Sequence, residues 1–196
     1  MFTKDYWKSS ASKLKDIRWL AVMASFIALE TVLKLFYIPV GENLRIQIVF
    51  LAAALEAWLV GPVAAVVSAI ASDLIGFMLF PSGPFFAGYT LSEAAAAFFY
   101  AIWMYRHKAS LVRMAGSRIC VNYLVNVLMG SLWSSILYSK GFYYYMMKSL
   151  VKNSILLPFE ILAMLALFKV LEPFLLRRKL IVYDEEKADT SSISAE

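Results

Sequence analysis

The stretch Ile46–Phe80, IQIVFLAAALEAWLVGPVAAVVSAIASDLIGFMLF, decides how this chain folds. Its charged residues are Glu56 and Asp73 alone, and apart from Gln47 the rest of it is apolar or small. Gly61-Pro62 interrupts it: proline breaks a helix interior and glycine favours a turn, so the run reads as two helices rather than one. Each half is short for a segment that must cross about 30 Å of hydrocarbon. The whole chain repeats this bias. Of its 196 residues 61% are apolar and 17% charged, and the mean hydropathy is +0.68. That apolar surplus is too large for the single core a chain this size can form, so lipid must solvate much of the surface. An integral membrane protein is implied, and a soluble domain, a disordered chain and a disulfide scaffold are excluded. Cys120 is the sole cysteine and has nothing to pair with. The net charge of +5 comes from short basic clusters between apolar segments, the pattern of cytoplasmic loops rather than of a nucleic-acid surface.

Working outward from Ile46–Phe80, six apolar stretches are candidate spans: 18 to 37, 45 to 60, 63 to 80, 86 to 105, 118 to 138 and 149 to 173. The expected fold is therefore all-α, six transmembrane helices. Residues 1–17 form a retained N-terminal segment, 18–176 the membrane domain, and 177–196 a basic and then acidic tail that should be mobile from about Tyr183. With both termini in the cytoplasm, thirteen basic residues fall inside, among them Arg106, Lys108, Arg113 and Arg118 of the fourth loop. Five fall outside: Lys34, Arg45, Lys140, Lys148 and Lys152.

Polar residues inside the spans mark an interior, because a central charge facing lipid costs roughly 2.5–3.5 kcal/mol. Glu30 and Lys34 stand four apart with the acid first, which favours an intrahelical pair over a ligand role. Asp73 and Glu93 can bind a donor-rich ligand, cap a helix or pair with Arg45. Asn122 and Asn126 lie one turn apart and suit interhelical hydrogen bonds and substrate contact equally. The loop from Phe80 to Thr90 holds two prolines, two glycines and four aromatic residues, able to sandwich a flat ligand or to form an interfacial belt. Its Gly83 to Thr90 portion mimics a phosphate loop with Tyr89 in the lysine's place, so ATP binding is set aside. Tyr143, Tyr144, Tyr145 and Lys148 form a second cluster, followed by Lys152 and Asn153, whose groups suit a carboxylate and an amide edge. Small residues form two stripes: Ala24 and Ala28, then Ala64, Ser68, Ser72 and Gly76. The lone histidine, His107, lies in a basic loop, so no histidine-based metal site or serine-histidine dyad is expected.

Several motifs together resemble a known family: Leu44-Arg45-Ile46, Gly61-Pro62 with Asp73-Leu74-Ile75-Gly76-Phe77, Phe80-Pro81-Ser82-Gly83 with Phe85 to Ser92, Val121-Asn122 with Asn126, and Val151-Lys152-Asn153 with Leu157-Pro158. Over residues 18 to 173 the chain is similar to the S components of energy-coupling factor (ECF) vitamin importers, and specifically to the folate branch. Ala87 stands where that branch has proline, and Lys148 where arginine is expected. The resemblance implies capture of folate from outside and release inward by reorientation in the membrane. It also implies a separate transmembrane coupling subunit and two ATPase subunits, with no cofactor, no metal and no catalysis in this chain. It assigns Phe85, Phe86 and Tyr89 to stacking, Asn122, Asn126 and Asn153 to the pterin edge, and Arg45 and Lys152 to the carboxylates. Ala24 and Ala28 match the AxxxA pattern used against the coupling subunit. Two alternatives stay open: an S component for thiamine or riboflavin, and a membrane enzyme acting on lipid or isoprenoid through Asp73 and Glu93.

Overall fold

The computed structural model describes residues 4–41, 44–81, 85–138, 141–181 and 183, with the backbone alone at 39–41, 44 and 45. Ser82 to Pro84 of the aromatic loop, Lys140 and the acidic tail lie outside the described residues.

The fold is all-α apart from one hairpin. In chain order come α1 (Lys4–Lys13), α2 (Ile17–Leu33), β1 (Tyr37–Gly41), β2 (Leu44–Gln47), α3 (Val49–Val60), α4 (Pro62–Leu79) and α5 (Ala87–Met104). A continuous rod follows, made of α6 (Leu111–Cys120), a π-helical segment (Val121–Met129) and α7 (Gly130–Leu137), and then α8 (Phe142–Arg177). Pro62–Leu79, Leu111–Leu137 and Phe142–Arg177 are each long and apolar enough to cross a membrane. Among the described residues there are thus seven helical rods where six were expected. The extra one is α1. The hairpin also shortens the helices expected at 18 to 37 and 45 to 60, because Pro39 stops a helix and the Tyr37-Ile38 pair favours strand. Tyr37 pairs with Gln47 and Ile38 with Ile46, antiparallel.

The Gly61-Pro62 break forms the predicted turn. Gly61 sits at φ +85°, which a side chain tolerates poorly, and ends α3 while Pro62 opens α4. A Cβ there would come within 2.8 Å of the Tyr105 ring and 2.9 Å of Ser10. The helix α1 seals this turn. Ser10 Oγ donates to Val60 O at 3.0 Å and accepts from the Val63 and Ala64 amides at 3.0 and 3.1 Å. It therefore caps α4 from outside that helix. Lys13 Nζ donates to Leu59 O at 2.5 Å and lies 4.1 Å from the centroid of the Trp19 ring. Burial, and secondly the charge on Arg106, push Lys13 down to about 7.

The core lies between α3, α5, α6 and α8, where Trp58 stacks on Phe168 at 5.0 Å and donates to His107 O at 2.9 Å. At this same end the chain folds back after α8 through Lys179 at φ 56°. Tyr183 is buried and donates to Glu172, which also accepts from the Ala109 amide at 3.2 Å. The Tyr183 ring is thus packed, and the expectation of a mobile tail concerns residues beyond it that lie outside the described ones.

The two small-residue stripes part company. Ala64, Ser68 and Ser72 are buried and let α4 approach its neighbours. Ser68 donates to Glu56 of α3 at 2.5 Å, and Ser72 to Glu30 of α2 at 2.7 Å. Ala24 and Ala28 face outward from α2. Large apolar side chains such as Ile155, Phe159 and Leu162 form an outer face of α8 suited to lipid.

Candidate functional site

The end of the bundle away from α1 encloses a cavity of about 770 Å³. Its walls come from the late turns of α2 and α4, the hairpin, the start of α5, the π-segment with α7, and the first half of α8. The volume falls within the roughly 300–1,000 Å³ of small-molecule sites.

One wall is aromatic. Phe85, Phe86 and Tyr89 all line the cavity. Phe85 meets Phe77 edge-on at 5.2 Å, and Phe86 meets Trp133 and Tyr89 edge-on at 5.5 and 6.0 Å. Trp133 is fixed in turn by donating Nε1–H to Ser92 Oγ at 2.9 Å. Gly88 makes this packing feasible, since a Cβ there would lie 2.2 Å from the Phe86 ring and 2.7 Å from that of Trp133.

The facing wall is a ladder of buried polar groups between the π-segment and α8. Arg118 donates to Glu160 through Nε at 2.9 Å and Nη2 at 2.5 Å, and through Nη1 to the Tyr100 hydroxyl. Its guanidinium also lies 4.0 Å from the Phe50 ring centroid. Asn122 Nδ2 donates to the same carboxylate at 2.7 Å, and Asn126 Nδ2 donates to Asn122 Oδ1 at 3.2 Å and to Asn153 Oδ1 at 3.4 Å. Asn153 Nδ2 donates to Ser149 O at 2.8 Å, and Ser149 Oγ to Asn126 O at 3.1 Å. Each amide is thus oriented by its neighbour, which leaves a defined polar edge toward the cavity.

Of the residues singled out from sequence, Phe85, Phe86, Tyr89, Asn126, Lys152 and Asn153 line the cavity. Asn122 stands behind them, tying Asn126 to Glu160. Arg45 lies in β2 opposite Pro39, and its side chain is outside the described residues. The tyrosine cluster divides: Tyr145 lines the cavity, while Lys148, exposed and outside the lining, sits 4.5 Å over the Tyr144 ring.

Two expectations change. Arg118, placed in a cytoplasmic loop, is 4% exposed and belongs to the cavity floor. A buried guanidinium needs a counter-charge, and Glu160 supplies it from forty-two residues away. The Glu30–Lys34 pair gives way to Ser72–Glu30 and a Lys34–Glu93 pair at 3.9 Å, both tying α2 to other helices. Asp73, which lines the cavity as Glu93 does, accepts from Thr90 at 2.6 Å, joining α4 to α5. Sequence reading missed Arg118, Tyr100, Ser131 and Ser134 as cavity residues; the signal for the first was the four-residue spacing Arg118, Asn122, Asn126.

Comparison with known proteins agrees with this architecture. Two curated relatives are each described as a folate transporter FolT. The one from Clostridium novyi (strain NT) is 28% identical over 172 residues, covering 88% of this chain and 100% of the relative. The one from Leuconostoc mesenteroides is 27% identical over 153 residues, covering 74% and 82%. A crystal structure of FolT bound with folic acid superposes with a TM-score of 0.74 at 25% identity, covering 79% of this chain and 94% of that one. The family model for the substrate-specific component of ECF transporters matches residues 18–170. That is a transport subunit and not an enzyme, which sets aside the reading of Asp73 and Glu93 as catalytic. The chain belongs to the family of ECF transporter substrate-specific components.

Proposed function

We propose that this chain is the folate-binding subunit of an ECF importer, taking folate from the extracellular side and delivering it inward by reorienting in the membrane. A separate transmembrane coupling subunit and two ATPase subunits drive it. The observation that carries this reading is the cavity itself, a slot with stacking rings on one side and oriented amides and cations on the other. Folate has a flat pterin, a benzoyl linker and a glutamate tail, and these three chemistries meet the three kinds of lining. The folate transporters named above, similar over most of their length, support folate over thiamine or riboflavin.

In this reading Phe85, Phe86 and Tyr89 stack on the heterocycle. Asn126 and Asn153, the latter held by Ser149 and the former by Asn122, bond its edge, and Lys152 with Arg45 takes the carboxylates. Six spans cross the bilayer if α6, the π-segment and α7 act as one, with α1 lying at the cytoplasmic end. Both termini are then cytoplasmic and the cavity opens outward, as the basic-residue distribution supports. Ala24 and Ala28, on the outward face of α2, form the contact with the coupling subunit.

Mass spectrometry of the vitamin retained through detergent purification tests the substrate, with folate expected; thiamine or riboflavin in its place would reassign it. Lys152→Ala should weaken binding of glutamylated folate more than of a pterin lacking the tail. Equal weakening of both would refute the carboxylate role.

A further inference from the structure

The asparagine ladder has a direction, imposed from its two ends. An asparagine amide can be turned either way, so its orientation follows from neighbours that only accept or only donate. Glu160, paired with Arg118, is a carboxylate and only accepts, so Asn122 turns its NH₂ toward it at 2.7 Å and its oxygen toward Asn126. The backbone carbonyl of Ser149 also only accepts, so Asn153 turns its NH₂ there at 2.8 Å and its oxygen toward Asn126. Both ends therefore demand the same of Asn126. Its NH₂ donates to Asn122 Oδ1 at 3.2 Å and to Asn153 Oδ1 at 3.4 Å, and its own Oδ1 is the atom left over.

That oxygen is open to the cavity. Asn126 is half-buried and lines the cavity. Among the described residues, Ser131 Oγ is the side-chain oxygen or nitrogen that is both closed off and without a hydrogen bond, so the unbonded Asn126 Oδ1 keeps accessible surface. Asn122, by contrast, is 0% exposed and stands outside the lining.

We propose that Asn126 Oδ1 is a specificity-determining acceptor for the exocyclic 2-amino group of the ligand's ring system, and that Asn122 is a positioning residue that keeps this oxygen, and not the NH₂, turned to the cavity. The inference rests on the folate reading and deepens it. The 2-amino group projects from the pterin edge, so it can meet this wall while the ring faces stack on the aromatic side. An amide able to turn would suit a donor or an acceptor equally. One held by two acceptor-anchored neighbours discriminates, because a ligand without the donor leaves the oxygen unpaired.

The test is calorimetric titration of detergent-purified wild type, Asn126→Ala, Asn122→Leu and Asn122→Asp with folate and with 2-deaminofolate, whose 2-amino group is replaced by hydrogen. The wild type should prefer folate about tenfold, and Asn126→Ala should reduce that preference to under about twofold. Asn122→Leu keeps the bulk and frees the Asn126 amide to turn, so it should cut the preference severalfold. Asn122→Asp should retain it, because an acid sharing one proton with Glu160 still offers an oxygen to the Asn126 NH₂. Equal preference in these two variants, whether kept or lost, would overturn the positioning role. Full preference in Asn126→Ala would overturn the acceptor role, and that variant decides even where Asn122→Leu does not fold. A wild type that binds both compounds equally would overturn the inference and leave the folate reading standing; one that binds neither would overturn both.

Discussion

Replacing Glu160 by glutamine separates charge from shape at the floor of the cavity. The carboxylate receives three N–H groups, from Arg118 Nε at 2.9 Å, Arg118 Nη2 at 2.5 Å and Asn122 Nδ2 at 2.7 Å. Glutamine keeps the volume, removes the counter-charge and turns an NH₂ toward one of those donors. The guanidinium of Arg118, 4% exposed, is then left among the Tyr100 hydroxyl and the Phe50 ring with no anion in contact. Breaking a buried pair by deleting one partner costs about 3–5 kcal/mol. For a chain of this size each kcal/mol corresponds to roughly 2–4 °C, so the melting point should fall by roughly 6–20 °C. The pair variant Arg118→Met with Glu160→Met removes both charges and leaves the Tyr100 hydroxyl and Asn122 short of one hydrogen bond each. At about 1 kcal/mol apiece it should be less destabilised than Glu160→Gln alone. Fluorescence-detected melting in detergent reads both variants. A Glu160→Gln protein melting within about 2 °C of wild type would refute the reasoning. So would a double variant worse than either single one.

Gly88→Ala should force the Phe86 and Trp133 rings apart, because the new methyl would lie 2.2 Å from one ring and 2.7 Å from the other. Overpacking of this kind costs about 1–3 kcal/mol and should also weaken folate binding; a variant that matches wild type in melting and titration would contradict it. Ala24→Leu with Ala28→Leu should leave folate affinity of the isolated protein unchanged and abolish co-purification with the coupling subunit, since both positions face outward. Intact assembly would remove these residues from that interface. Lys13, held at about 7 against an ordinary value near 10.5, releases its proton in the folded protein while an unfolded chain still holds one. Stability should therefore rise between about pH 7 and 10, and Lys13→Met should flatten that rise in a melting series; an unaltered slope would assign it elsewhere.

Much of the architecture was legible because its causes are local. Gly61-Pro62 breaks the apolar run by chemistry confined to two residues, and the turn is found there. The membrane character follows from composition, and the aromatic loop announces a ring-lined wall. What stayed hidden depends on partners far apart in the chain. The sequence KDYWKSSASK of α1 has no apolar run, and the helix is held by Ser10 on the backbone of α4 and by Tyr6, which donates to Ala101 O at 3.2 Å. Arg118 reads as a loop charge until Glu160 is placed beside it. Glu30 and Lys34 satisfy the local rule for a helical pair, yet tertiary partners on α4 and α5 prevail. Ser131 carries no sequence signal, because its position depends on a π turn that the amino acids around it do not advertise.

The claim on which the account turns is that the cavity between the aromatic loop and the asparagine ladder holds folate with no energy supply. Isothermal titration of the purified protein with folate, thiamine and riboflavin in the absence of nucleotide measures this directly. The account predicts saturable binding of folate at one molecule per chain, lost when Phe86 and Asn153 are both replaced by alanine. Saturation by another vitamin with no response to folate, or folate binding that survives that double replacement, would contradict it.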